Sequence, residues 1–270
     1  MSMIETAPRY SDSKIIGLVN DVRHGHMWLW RTVVAMLIGS ALMFMFHFAD
    51  ARLLNGVSVW DKPAKFFLSL AVQYGTVSWA LSQMPRVDGH WRSINWAVAL
   101  MIIAGWGEMI YMIYRASRAE ASHFNSTSLS GIIGYALMGV GSLTLTCTAA
   151  FVGCKIWSKR SAGLWTEVAG FALMVGALLG TIAGGYMSAK TGHWVGGVQS
   201  DANALAFFNW STTGGDLRVA HFVGLHAAQF IPLAALSGDR RVVYGAAVAI
   251  AFLTAGLFAM GAVGLPLFRS

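Results

Sequence analysis

Charged residues, cysteines and prolines are all scarce in this chain of 270 residues. Only 11% of the residues are charged, whereas a typical soluble domain contains about 25%, so the composition argues against an ordinary soluble domain. Three of the five prolines, Pro63, Pro85 and Pro266, fall at the ends of long apolar runs, as expected of a residue tolerated at helix starts and after helix ends. Cys147 and Cys154 are the two cysteines and lie two helical turns apart in one apolar segment, which is too far for a disulfide. A disulfide-stabilised fold is therefore excluded as well.

Apolar residues take the place of the missing charge. They make up 56% of the chain, and its mean hydropathy is +0.57. Several apolar runs reach the roughly 20 residues that a helix needs to cross a bilayer. We therefore predict an all-α fold, a polytopic membrane helix bundle with about seven transmembrane helices. The predicted spans are residues 27–48, 64–84, 94–114, 129–154, 164–188, 217–236 and 243–266.

Residues 1–26 are predicted to form a tail that precedes a single transmembrane domain, residues 27–270. Within the tail, the spacing predicts a helix over residues 13–23 that places Ile15, Ile16, Leu18, Val19 and Val22 on one face. This pattern is typical of a short amphipathic helix that lies on the membrane surface.

The formal net charge of +7 comes from Lys and Arg residues scattered near the predicted helix ends. Such a distribution indicates membrane orientation and contact with lipids rather than nucleic-acid binding. A small excess of Lys and Arg on one side places the N-terminus in the cytoplasm and the C-terminus in the periplasm or outside. We therefore expect a multi-pass protein of a bacterial inner membrane, with membrane lipids and no nucleic acid as partners.

The predicted loops after spans 1, 3 and 5 are rich in polar residues, and loops after alternate spans share one face of the membrane. The last of them ends in a run of hydroxyls and glycines between Trp210 and Asp216. Asp216 is also suited to cap the helix that follows. The sequence therefore predicts a polar site on this face, with walls from residues 60–73, 108–125 and 210–229 and from the loop around His193.

Helical spacing indicates which side chains share a cavity. Lys62, Lys65 and Gln73 recur at three- and four-residue steps on one face of span 2. Glu108 and Arg115 share a face of span 3, and Glu108 is expected about 9 Å below the interface. A carboxylate at that depth should be paired or protonated, and we predict Arg115 or a histidine of span 6 as its partner. A purely structural ion pair is the alternative interpretation.

Histidines supply the candidate metal ligands. His221 and His226 differ by five residues on one helix, so their side chains point about 140° apart and do not chelate one metal by themselves. A divalent metal site is predicted from His123, His193 and His221, whose imidazoles are common ligands. The alternative cofactor is haem b, held by His47, His221 or His226 on facing helices.

The predicted site residues fall into two further groups. Acid, base or other catalytic roles are predicted for Glu108, His221, His226 and Asp216. Substrate-binding roles are predicted for Lys62, Lys65, Gln73, Arg115, Arg118, Asn125, Trp210 and Arg218.

Gly176, Gly180 and Gly184 recur at four-residue spacing in span 5. Small residues at this spacing allow another helix to approach closely. The stripe predicts either tight packing inside the bundle or a seam between two copies in an oligomer.

Three sequence blocks resemble a bacterial family of uncharacterised integral membrane proteins. The blocks are Trp-x-Lys-Pro-x-Lys-Phe at 60–66, Ser-His-Phe-Asn at 122–125, and Trp-Ser-Thr-Thr-Gly-Gly-Asp-Leu-Arg at 210–218. They are spread over most of the chain. The resemblance implies a seven-span bacterial membrane protein and assigns no catalytic residue.

These observations predict a membrane-embedded enzyme or ligand-binding protein, which would be metal-dependent if the predicted histidine site binds a metal. Its polar pocket of His, Glu and Arg residues opens near the outer face and takes a lipid-soluble substrate. One alternative is a redox protein that binds haem b or quinone. Another is a proton-coupled transporter or channel.

Overall fold

The computed structural model describes residues 14–85, 91–125, 128–202 and 204–269, and eight α-helices account for most of this part of the chain. The helices agree closely with the apolar runs from which they were predicted. They are α1 Lys14–Gly25, α2 Met27–Ala49, α3 Asp61–Ser82, α4 Trp91–Ser117, α5 Leu129–Trp157, α6 Leu164–Ala189, α7 Leu217–Ala234 and α8 Arg240–Ala262. The all-α class is confirmed.

Six of these helices, not seven, are long and apolar enough to cross a membrane. They are α2, α4, α5, α6, α8 and α7 with the short turn that follows it. The prediction of seven spans is therefore wrong. The difference is α3, which is 22 residues long but carries the polar stripe of Lys62, Lys65 and Gln73. The same side chains that suggested a site lower its hydropathy.

α3 is packed lengthwise against α2 and α4. Ser40 of α2 donates a hydrogen bond of 2.9 Å to the carbonyl oxygen of Ala64. Tyr74, which is fully buried, donates one of 3.1 Å to the carbonyl oxygen of Met101 on α4. Buried polar groups need such partners, because an unsatisfied one is costly in an apolar interior. These bonds hold the polar helix inside the bundle.

The glycine stripe of α6 faces α7 of the same chain. A Cβ atom on Gly176 would lie 2.9 Å from the Cβ of Ala228. One on Gly180 would overlap Leu225, and one on Gly184 would lie 2.9 Å from the His221 ring. The stripe therefore serves close helix packing within the bundle. α7 of the same chain occupies the face of these glycines, which favours the packing interpretation, and the seam between two copies stays a prediction.

The predicted N-terminal helix corresponds to α1, and it packs against α3. The carbonyl oxygen of Val22 accepts a hydrogen bond of 2.6 Å from Ser78. Leu18 and Val19 are exposed. The side chains of Ile15 and Ile16, which belong to the predicted apolar face, lie outside the described residues.

One end of the bundle carries the longer loops, and we call it the Asp61 end. The contact between His47 and Asp61 shows that α2 ends and α3 begins at this end. α8 also ends there, since a Cβ on Gly215 would overlap Gly261. Two short antiparallel ladders support these loops: β1 (Leu53–Leu54) with β2 (Val57–Ser58), and β3 (Trp194–Val195) with β4 (Gly215–Asp216).

Candidate functional site

The three polar loops predicted to share a face meet at the Asp61 end. Arg52 donates a hydrogen bond of 2.8 Å to the carbonyl oxygen of Ser117 at the end of α4. The amide of Asp201 donates one of 3.0 Å to the carbonyl oxygen of Asn55. These bonds tie the loop after α2 to the end of α4 and to the loop before α7. They bring residues distant in sequence onto one rim.

Asp216 organises the loop before α7. It is the N-cap of α7 and accepts a hydrogen bond of 3.0 Å from the amide of Arg218. Its other oxygen accepts one of 3.0 Å from the amide of Ser211. The Arg218 guanidinium bonds the same carboxylate, contacts the Asn209 carbonyl oxygen, and pairs with Asp201 at 3.0 Å. Both oxygens of Asp216 are therefore engaged within the loop, which favours the capping interpretation over the predicted catalytic one.

Lys62 occupies the first turn of α3 at this end. Among the described residues, no hydrogen bond or ion pair engages its ammonium group, which lies 5.8 Å from the Phe66 ring centroid. Burial lowers the pKa of Lys62 to about 8, and the positive charge of Arg218 acts in the same direction. The negative charges of Asp201 and Glu108 oppose this shift. The result is a cation within electrostatic reach of residues from α4 and from the loop before α7.

His123 and His193 lie beside Lys62 in an aromatic cluster. The ring of Phe124 lies 6.0 Å from that of His193, and His123 lies 5.6 Å from Phe66. Burial lowers the pKa of His123 well below its usual range, and the charge of Lys62 adds to the effect. Burial also lowers the pKa of His193 to about 3, with Arg218 acting in the same direction. Both imidazoles are therefore neutral at physiological pH.

Buried polar atoms without partners concentrate in this region. Within the described ranges, four of the five such side-chain atoms lie on the C-terminal half of α4 or beside β3. Each orphaned group costs about 1–3 kcal/mol and calls for an explanation. The four are Glu108 Oε1, Arg115 Nη2, His193 Nε2 and Trp194 Nε1.

Glu108 is a buried carboxyl group of α4, with an exposed fraction of 6%. Gly141 of α5 makes room for it, because a Cβ there would overlap the Oε1 atom. The predicted partner, Arg115, does not reach it. Arg115 donates a hydrogen bond of 2.8 Å to Tyr111 and forms an ion pair with Glu120.

Arg118 joins the same group at the end of α4. Its guanidinium donates a hydrogen bond of 2.9 Å to Glu120. The bond from Arg118, followed by that from Arg115, lowers the pKa of Glu120. Arg115 and Arg118 thus share one carboxylate at the helix end, so the predicted pairing of Glu108 with Arg115 is wrong.

The α7 histidines lie apart from this cluster. His221 contacts the carbonyl oxygen of Gly180 on α6 at 2.9 Å. His226 contacts the carbonyl oxygen of Phe222 at 2.9 Å and stacks on its ring. No contact joins either histidine to Glu108 in the part of the chain that the structure describes. Their predicted role beside Glu108 does not fit this placement.

The predicted metal and haem sites are not assembled. No group of three or more His, Cys, Asp or Glu residues could hold a metal ion among the residues described. His123 and His193 are neighbours, but His221 faces α6. His47 contacts Asp61, Phe44 and Phe48 and makes no contact with either α7 histidine within the described ranges. Among the described residues, His47, His221 and His226 therefore form no facing pair of imidazoles for a haem.

The remaining predicted residues lie around the rim or farther along α3. Lys65 donates a hydrogen bond of 2.9 Å to the carbonyl oxygen of Phe207. Trp210 stacks on Phe208. Asn125 is buried and donates to the carbonyl oxygen of Ala121 at 3.0 Å. Gln73 lies farther along α3, beyond the cluster.

Asp201, Glu120 and Tyr135 were not among the predicted site residues. Asp201 and Glu120 look like ordinary loop acids, and only the fold pairs them with Arg218 and with Arg115. Tyr135 lies 6.3 Å from the His123 ring and bonds Ser188 of α6 at 3.0 Å. No spacing rule links α5, α6 and the loop before α5, so these contacts have no local signal.

A surface cleft lies at the opposite end of the bundle. It measures about 540 Å³ and is bordered by the turn after α5 and by α8. Its buried acid, Glu167, accepts hydrogen bonds from Arg240 at 2.7 Å and from Tyr244 at 2.6 Å. Both partners satisfy this carboxylate, so we interpret the cleft as an ion-paired helix junction.

Comparisons with protein-family models, with curated proteins and with solved structures gave no match to this chain. Function must therefore be inferred from the site itself.

Proposed function

We propose that the chain is a membrane-embedded ligand-binding protein or enzyme that takes an amphipathic anion at the Asp61 end. The site is formed by Lys62, Glu108, His123 and His193, and we call it the Lys62 site. The ligand places a carboxylate or similar anionic group there and extends an apolar chain toward the lipid.

The unpaired ammonium of Lys62 is the observation that carries this proposal. The neighbouring cations already have partners: Lys65 bonds a carbonyl oxygen, and Arg218 pairs with Asp201 and Asp216. An unpaired cation in a half-buried setting gains most from an incoming anion, because the local dielectric is low.

The surrounding groups support the same ligand chemistry. Trp194 Nε1 is a donor without a partner, and an indole N–H can only donate. His193 Nε2 and Glu108 Oε1 also lack partners. The Phe66 and Phe124 rings supply an apolar wall for the adjoining carbons of a ligand.

Glu108 supplies the acid–base group if a reaction occurs at this site. A buried carboxyl beside a cation is suited to exchange a proton with a bound carbonyl or carboxyl group. In the proposed enzyme Lys62 binds and Glu108 transfers the proton. Glu108→Gln should therefore keep binding and remove turnover.

Titration calorimetry with oleate, compared with oleyl alcohol, tests the binding step on the purified protein in lipid nanodiscs. We expect oleate to bind and the uncharged alcohol to bind at least tenfold more weakly. Lys62→Met should remove this difference, because the methionine keeps the chain length without the charge.

Lys155→Met is the matched control. Lys155 lies 5.1 Å from the Phe151 ring, as Lys62 lies over Phe66, but on α5 away from the Asp61 end. It should leave oleate binding unchanged. Equal binding of acid and alcohol, or equal loss in both variants, would contradict the proposal.

We place the Asp61 end at the outer face of an inner membrane. The small excess of Lys and Arg at the opposite end supports this orientation. An Ala206→Cys variant carries its thiol at an exposed position of the loop before α7. A membrane-impermeant maleimide should label it in intact cells, and labelling only after lysis would reverse the orientation.

A further inference from the structure

α3 and α7 run in the same direction and are bridged at two levels. Near the Asp61 end, Lys65 of α3 bonds the carbonyl oxygen of Phe207, whose neighbour Phe208 packs on Phe222 of α7. Farther along, Gln229 of α7 donates a hydrogen bond of 2.7 Å to Thr76 of α3. The bridges are eleven residues apart on α3, or about 16 Å. We call the surface between them the α3–α7 window.

The α3 side of this window carries polar groups that are not engaged. Ser69 is exposed and Gln73 is half-buried, and no hydrogen bond engages either side chain among the residues that the structure describes. Leu68 and Val72 beside them are 37% and 39% exposed. Unengaged polar side chains at membrane depth are costly, and they commonly mark a functional site.

The α7 side supplies an aromatic wall and one acceptor atom. Phe222 and His226 stack with a centroid distance of 3.9 Å, and Phe230 continues the row at 6.1 Å from His226. The Nδ1 atom of His226 contacts a carbonyl oxygen, which can only accept. A neutral His226 therefore carries its proton on Nδ1 and presents Nε2 as an acceptor.

The groups between the bridges call for one kind of ligand. Residues 66–76 of α3 and 222–229 of α7 include no Asp, Glu, Lys or Arg, so the occupant of the window is uncharged. The row of rings favours a flat aromatic group. The bare Nε2 favours a hydroxyl donor, while Ser69 and Gln73 can donate to a second oxygen. The exposed Leu68 and Val72 leave room for an apolar tail.

We infer that the α3–α7 window binds an uncharged hydroxyaromatic molecule dissolved in the membrane, the chemistry of a quinol. Its ring lies along Phe222 and His226, its hydroxyl donates to His226 Nε2, and its second oxygen accepts from Gln73 or Ser69. This site is separate from the Lys62 site and does not depend on the anion proposed there.

Photolabelling in lipid nanodiscs tests the inference. The probe is a 4-alkylphenol with a diazirine on its alkyl chain, and the competitors are 4-nonylphenol and its methyl ether, 4-nonylanisole. Labelled peptides should come from residues 68–76 and 222–230. The phenol should compete at least tenfold better than the ether, which has the same shape but lacks the O–H donor.

Three variants test which side chains hold the phenol. His226→Phe keeps the stacking surface and removes Nε2, so the preference for the phenol should disappear. Gln73→Met should leave labelling by the one-oxygen phenol nearly unchanged and should weaken competition by nonylhydroquinone, whose second oxygen Gln73 would hold, several-fold. This competition provides a second measurement if His226→Phe does not fold. Ser142→Ala changes an exposed serine on α5 and should change nothing.

The proposed function and this inference fail in different ways. Lys62→Met should abolish oleate binding but leave phenol labelling intact, whereas loss of both would place the phenol in the Lys62 site and overturn the inference. Labelling spread over all lipid-facing helices would show lipid-like partitioning and also overturn it. Equal competition by phenol and ether would do the same.

Discussion

Arg115, in the last turn of α4, forms an ion pair with Glu120 in the turn after the helix, with the Arg115 side chain buried and Glu120 partly exposed. The same Arg115 bonds Tyr111, whose ring fits against Gly134 of α5. A buried guanidinium needs such partners, because an uncompensated charge in an apolar interior is strongly destabilising. Because Arg115 pairs with Glu120, the Oε1 atom of Glu108 has no hydrogen-bond partner among the described residues and is available to a ligand.

Removing the charge of Glu120 should therefore cost stability, whereas removing that of Glu108 should not. We expect Glu120→Gln to lower the free energy of unfolding and the apparent melting temperature, because it leaves the buried Arg115 guanidinium without its carboxylate partner. Glu108→Gln should leave the apparent melting temperature unchanged or raise it. Thermal unfolding of both variants in one detergent measures this. A larger loss for Glu108→Gln would mean that Glu108 has a structural partner.

Anion binding at Lys62 should be lost as the pH rises through about 8. The pKa of Lys62 is lowered to about 8 by burial, so the ammonium is charged below that pH and neutral above it. Lys62→Arg should move the fall in oleate affinity to a much higher pH, because arginine stays protonated. An unchanged midpoint in this variant would assign the titration to another group.

The same shift predicts how Lys62 affects stability. The folded protein releases the Lys62 proton near pH 8, whereas the unfolded chain keeps it until about pH 10.4. Between these values the unfolded state holds more protons, so the contribution of Lys62 to the free energy of unfolding rises with pH. Lys62→Met should remove this rise. A fall in stability over the same interval in wild type alone would contradict the assignment.

Ligand binding should show no histidine titration between pH 5 and 7. The pKa of His193 is lowered to about 3 by burial and by Arg218, and burial also lowers that of His123. Both rings therefore stay neutral over this range. In the Glu108→Gln variant, which removes the carboxyl group of the site, calorimetric titration of oleyl sulfate, an anion that stays ionised over this range, should give the same affinity at pH 5, 6 and 7. A step near pH 6 that disappears in His193→Gln would show that His193 is protonated at that pH.

Gly176 should be intolerant of a methyl group, and the defect should be in folding rather than in assembly. Its Cβ would lie 2.9 Å from backbone atoms of α7, so Gly176→Ala should destabilise by about 1–3 kcal/mol. Gly185 has nothing within 4 Å of its Cβ position, and Gly185→Ala should be neutral. Native mass spectrometry should give the same oligomeric state for both variants. A change of oligomeric state in Gly176→Ala alone would support the oligomer interpretation instead.

Asp216 should matter through its charge. Asp216→Asn weakens the contact with Arg218, which lies within a partly buried network, and we expect a loss of about 2–3 kcal/mol. Asp239, the N-cap of α8, accepts a 2.8 Å bond from the Arg241 amide at an exposed position. Asp239→Asn should cost almost nothing, because asparagine caps equally well. An equal loss of unfolding free energy in the two variants would show that Asp216 acts only as a helix cap.

The shared location of the polar loops could be predicted because helices of similar length return the chain to the same end after every second crossing. Lys62, His123, His193 and Arg218 were found in this way. The hydrogen-bond and ion-pair partner of each side chain could not be predicted in this way. Helical periodicity placed Arg115 on the same face as Glu108. The structure shows that Arg115 instead pairs with Glu120, which lies closer to it in the turn after α4. The same periodicity could not indicate that His221 turns toward Gly180 of α6.

The sequence by itself determined the helices, since hydropathy and helical spacing are properties of neighbouring residues and need no knowledge of other segments. It therefore set the extents of α2 to α8 and the all-α class. The tertiary structure decided which polar groups pair and which remain without partners. The pairing depends on contacts between helices that are far apart in the chain. A side chain that bonds one partner, as Gln229 bonds Thr76, is no longer available to another. Lys62 and Gln73 stand out among the predicted binding residues because, in the part of the chain that the structure describes, the bundle leaves their side chains without hydrogen bonds.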